Sequence, residues 1–69
     1  MEIREAFYKF NSYSPETRES IRKIVRASRF PLSTVVEVYD YVKDLKLVQK
    51  IIKTADGNNV SPMEVVSKL

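Results

Sequence analysis

Apolar residues recur at intervals of three and four along almost the whole chain, which places them on single helical faces rather than alternating across strands. Ile3, Phe7 and Phe10 predict a short first helix, and Thr17, Ile21, Ile24 and Ser28 the inner face of a second helix over residues 15–28. Val35, Val38, Tyr39 and Val42 predict a third, and Leu45, Val48, Ile51 and Ile52 a fourth. The β-branched run Val35-Val36-Glu37-Val38 favours a strand by propensity. Glu37, Asp40 and Asp44, however, follow one another at three and four residues, a helix-face pattern, so the segment reads as helix. Residues 34–54 form one bent helix or two, with the break near Lys43-Asp44.

The three prolines each stand where a helix can begin, because proline at the first helical position lacks only an N–H that has no partner there. Ser14-Pro15-Glu16 opens the second helix, and Ser61-Pro62-Met63-Glu64 opens a fifth with the spacing of a capping box. Pro31 precedes Ser33 and Thr34, either of which suits a cap for the third. The lone glycine, in Asp56-Gly57-Asn58-Asn59, is expected to end the fourth helix in a left-handed turn, since the spacing to a position-12 glutamate rules out a calcium loop. The expected fold class is all-α: one domain over residues 1–69, a compact bundle of four or five short helices. In it the helix of residues 1–13 docks loosely, through a hinge at Asn11-Ser12-Tyr13, on a core formed by 14–69.

Composition narrows the chemistry. The 69 residues include no cysteine and no histidine, which excludes disulfides, Cys/His zinc sites and histidine-based catalysis. With 43% apolar and 30% charged residues the chain is globular, and a domain this small keeps only about 3–5 kcal/mol of stability without staples. A marginal, dynamic fold suits an accessory module better than a preorganised active site. No apolar run spans a bilayer and the first residues do not read as a secretory signal, so the expected location is cytoplasmic, with no membrane partner. The final tripeptide Ser67-Lys68-Leu69 matches a peroxisomal address, but it finishes a predicted helix with Val65, Val66 and Leu69 as packing residues.

Charge gives the strongest functional cue. At 100° per residue Arg18, Arg22, Arg26 and Arg29 fall within an arc of about 80°. Lys43, Lys46, Lys50 and Lys53 form a second arc of similar width on the later helix. Eight of the twelve cations thus lie on two faces, although the net charge is only +3. Such faces suit phosphates, which guanidinium forks grip bidentately and whose counterions are released on binding. Tyr13, with Phe7, Tyr8 and Phe10 nearby, offers a ring for stacking on an unpaired base, against the plainer reading that Phe7 and Phe10 fill the core and the tyrosines rim it. Glu37, Asp40 and Asp44 read as a solvated acidic face that meets cations of a neighbouring helix rather than a metal site.

Two resemblances carry further expectations. Ala27-Ser28-Arg29-Phe30-Pro31-Leu32-Ser33 is similar to the helix end, proline and hydroxyl cap midway through the HRDC module of RecQ-type helicases. That resemblance implies nucleic-acid binding by Arg22, Arg26, Arg29 and nearby lysines. From Ile21 to Ile52 the apolar order also resembles the ubiquitin-associated and CUE three-helix modules, which implies a protein contact through Phe30, Pro31, Ile51 and Ile52. A short, cysteine-free, lysine-rich chain resembles small phage accessory proteins as well.

The expected function is a DNA- or RNA-binding accessory, with single-stranded or branched DNA as partner, assisting a helicase or another recombination, repair or replication enzyme. Its site residues would be Arg18, Arg22, Arg26, Arg29, Lys43, Lys46, Lys50, Lys53 and Tyr13. No catalytic residue, metal, cofactor or small-molecule substrate is expected, for want of a nucleophile–base pair. The alternatives are a UBA/CUE-like interaction module and a homodimer through an exposed aliphatic face.

Overall fold

Local chemistry at the helix ends sets most of the architecture. In a computed structural model that describes residues 2–69, the chain forms α1 (Ile3–Ser12), α2 (Pro15–Arg26), α3 (Leu32–Val42), α4 (Leu45–Asn58) and α5 (Pro62–Val66), with no strand among the described residues. The Ser14 hydroxyl accepts the Thr17 N–H at 3.2 Å and the Ser61 hydroxyl accepts the Glu64 N–H at 3.3 Å, so both Ser-Pro starts work as expected. The break between α3 and α4 falls at Lys43-Asp44: Lys43 turns left-handed at φ 58°, and the Asp44 carboxylate caps α4 through the Lys46 and Leu47 N–H groups.

Two turn expectations are corrected. Gly57 is helical and Asp56-Gly57-Asn58 belongs to α4; the left-handed residue is Asn59, at φ 56°, and the Val60 N–H closes the turn onto the Ala55 carbonyl at 3.1 Å. Pro31 itself occupies the cap position of α3, and neither Ser33 nor Thr34 caps it. A glycine inside a helix sacrifices backbone entropy for nothing, and a Cβ at Gly57 would meet no atom within 4 Å. Gly57→Ala is therefore expected to raise stability by about 0.5–1 kcal/mol, read as a higher thermal midpoint.

α3 lies at the centre, packed against α1, α2, α4 and α5. This is why its valines, Val35, Val36 and Val38, are completely buried. Ile21 and Ile24 of α2, Val48, Ile51 and Ile52 of α4 and Val66 of α5 complete an apolar core in which no described polar or charged residue is buried. At the chain's end Val66 is buried and Val65 half-buried, but α5 stops at Val66 and Leu69 is exposed rather than packed. No helix among the described residues is long and apolar enough to cross a membrane.

α1 docks on α3 through Ala6 and Phe10, not through the Ile3–Phe7 face that the spacing suggests: Phe7 is 49% exposed and Ile3 62%. Between these helices Lys9 donates to Asp40 at 2.8 Å, and Lys43 donates to the other oxygen of the same carboxylate at 3.1 Å. These hydrogen bonds, Lys9 first, hold the Asp40 carboxyl below its ordinary value of 3.8, and the same bond raises Lys9 above 10.5. A lowered folded value means that the Asp40 contribution is complete above about pH 4 and fades as the pH falls through the folded value. Wild-type thermal midpoints are thus expected to drop on acidification below pH 4, and Asp40→Asn to drop less steeply in that window.

Candidate nucleic-acid interface

The structure separates the two cationic arcs. α2 carries its arginines toward α1: the Arg22 guanidinium lies 5.3 Å from the centre of the Phe10 ring and 3.4 Å from Glu19. Arg18 is half-buried, with its Nε enclosed and without a hydrogen-bond partner. Arg26 is exposed at 4.0 Å from the same Glu19. Arg29 is not on the helix at all. It stands in the turn after α2, stacks on Phe30 at 4.9 Å and donates to Asp56 of α4 at 2.8 Å. Lys43 likewise lies between helices rather than on α4, bound to Asp40.

Tyr13 departs from the expectation of a free stacking ring. It is half-buried, edge-on to Tyr39 at 5.0 Å and to Phe10 at 6.5 Å, and its hydroxyl is enclosed without a partner. Burial, aided by nearby Asp40, pushes its phenol above the ordinary 10.0. To stack on a base the ring would have to leave these contacts.

Lys46, Lys50 and Lys53 remain together. All three are exposed on α4 within about 60° of arc, and none has an ion-pair partner among the described residues. Lys46 and Lys53 border the seam between α4 and α2, where Lys23 approaches from the opposite wall and shares a depression of about 270 Å³ with Lys46, Gln49 and Ile24, whereas Lys50 lines the α4–α5 side with Leu47, Ile51 and Val65. A second depression, of about 150 Å³, continues along the seam past Ile24 and Gln49 to Ala27, Ile52 and Lys53. Lys23 is likewise exposed and without an ion pair. It lies about 100° round α2 from Arg22, so the arginine arc and the lysine seam occupy different flanks of that helix.

One carboxylate, Asp56, lines the seam beside Lys53 and is paired with Arg29. Glu5, Glu37 and Asp40 gather with Lys9 and Tyr41 around the α1–α3 surface, and Asp44 is occupied as a cap. Among the described residues no three potential ligands converge as a metal ion would require. Ile51 and Ile52, which the UBA/CUE resemblance would place at a partner surface, lie in the core, and Phe30 is half-buried against it; of that set Pro31 alone is exposed.

Lys23 and Gln49 are the seam residues that the sequence did not single out. Their helical phase was readable, but not the side from which α4 meets α2. Among the described residues the architecture is thus a five-helix all-α globule with a seam of lysines outside any ion pair. No protein-family model, curated protein or solved structure matches the chain.

Proposed function

We propose that the protein binds the phosphates of nucleic acid through the α2–α4 seam, with Lys23, Lys46 and Lys53 as the contacting cations and exposed Arg26 and Lys50 at the margins. The observation that supports this most is the set of three lysines, Lys23, Lys46 and Lys53, bordering one groove without ion-pair partners among the described residues, while the carboxylate in its lining, Asp56, is paired with Arg29. An ammonium with no internal partner has no ion pair to break when it meets a phosphate, whereas Arg29 and Lys43 would first have to give up Asp56 and Asp40. Binding of this kind is electrostatic and non-specific in sequence, since phosphate contacts position a ligand without reading bases. The role in this reading is accessory, in support of a larger replication, recombination or repair enzyme.

Fluorescence anisotropy with single-stranded, duplex and forked oligonucleotides across a salt series tests it. Micromolar affinity is expected at low salt, with a log–log salt slope of about −2 for a strand and slightly steeper for a duplex if all three lysines engage. Absence of binding at low salt would make the seam an ordinary solvated surface.

A further inference from the structure

The seam is more than a charged strip. Between Lys46 and Lys53 its floor is hydrocarbon, formed by Ile24 and Ile52, with Ala27 on the α2 rim and Gln49 on the α4 rim where the two depressions join. Phosphates alone have no use for an apolar floor. A duplex offers only its sugar–phosphate surface there, because its bases are stacked inside. A single strand can turn a base outward, and every base has an apolar face that gains by leaving water.

We propose that this slot takes one unstacked base of a single-stranded nucleic acid, with the phosphates on either side of it held by Lys46 and Lys53. The proposal rests on the phosphate-binding reading of the seam and adds the strand preference and the base site. The hydrogen-bonding groups around the slot support it. The Ser28 hydroxyl is already engaged, accepting the Phe30 N–H at 3.2 Å, and Asp56 is tied to Arg29. Besides Ser20 at the Lys23–Lys46 end, Gln49 is the uncharged polar side chain of the lining that has no hydrogen-bond partner among the described residues. Its amide carries both donors and an acceptor, which suits a base edge of either polarity. An acidic peptide with an apolar anchor would also satisfy the lysines, the floor and, through its backbone, the amide, so it is the competing occupant in the test.

Three probes of equal length separate the possibilities: an oligothymidylate strand, the same strand with abasic sites throughout, and a duplex. Wild-type protein is expected to bind the thymidylate strand about tenfold more tightly than the abasic one, the increment that one base–protein contact supplies. Ala27 is exposed, so Ala27→Trp fills the slot from its rim without disturbing the core. That variant is expected to bind the thymidylate strand no better than the abasic one, while its duplex affinity and salt slope stay at wild-type values. Equal wild-type affinity for the thymidylate and abasic strands would overturn the base site and leave the phosphate reading intact, whether or not the variant folds. Binding of none of the three probes at low salt would remove both readings. A polyglutamate peptide carrying one leucine that competes as well as the thymidylate strand, and loses to Ala27→Trp, would overturn the base site in favour of an acidic protein partner.

Discussion

Replacing Lys46, Lys50 and Lys53 together by glutamate is expected to abolish measurable oligonucleotide binding while leaving helix content and the thermal midpoint near wild-type values. All three side chains are exposed and without ion pairs, so folding does not depend on their charge. Lys46 and Lys50 already stand four apart as like charges, and a glutamate pair repels no more than a lysine pair does. Glutamate at position 46 also sits in the first turn of α4, where a negative charge is favoured by the helix dipole. The ligand feels the opposite effect. At least two counterion-releasing contacts vanish, each worth about 0.7–0.9 in the salt slope, and carboxylates at positions 46 and 53 then face phosphates across the seam. The expected loss at low salt is at least about a hundredfold, by the same relation.

Arg22→Ala is the matched control. That guanidinium is spent on Glu19 and Phe10 inside the protein, so its removal is expected to change affinity less than about threefold while lowering stability modestly. The reverse outcome, in which the arginine variant loses binding and the lysine variant keeps it, would move the interface to the α1 side of α2 and refute the seam.

What could be read from the chain was whatever is decided within one helical turn. The Ser14 and Ser61 starts and the Lys43-Asp44 break each depend on a cap and its N–H partner two or three residues away. Where two neighbours compete, the wider structure decides. Gly57 and Asn59 both tolerate a left-handed backbone, and α4 runs two residues further, to Asn58, so that Asn59 takes the turn while Ala55 is completely buried. Likewise the Ile3–Phe7 and Ala6–Phe10 faces differ by about 60° of helical phase, and the docking of α1 on α3 selects the second.

The site was less legible for the same reason. Helical phase groups Arg18, Arg22 and Arg26 correctly, but it does not reveal that α1 lays Phe10 under one of them. Nor does it show that Arg29 reaches a carboxylate 27 residues further along the chain. The cations that matter for a ligand are those the fold leaves unpaired, and pairing is a tertiary property. Counting charge on an isolated helix therefore overstated the arginines and missed Lys23.

Ile21→Ala is the other large expected effect. Ile21 is completely buried at the centre of the α2 face that meets the core, and it is among the largest of the fully enclosed side chains. Truncating such a residue to alanine costs about 2–5 kcal/mol, because the cavity adds to the lost transfer energy. A domain of this size without disulfide or metal holds only about 3–5 kcal/mol in total, so the variant is expected to be largely unfolded at room temperature. Circular dichroism against temperature and urea checks this, with Ile3→Ala as the comparison. Ile3 is 62% exposed, and its truncation is expected to stay within about 0.5 kcal/mol of wild type. A cooperative transition for Ile21→Ala at the wild-type midpoint would mean that the core is not the one described. The variant also isolates what the fold contributes to binding. Its unfolded chain keeps every cation, so weak, salt-sensitive attraction to any polyanion should survive. The preference for thymidylate over abasic strand requires Ile24, Gln49 and Ile52 to be held around one slot, and should disappear with the helices.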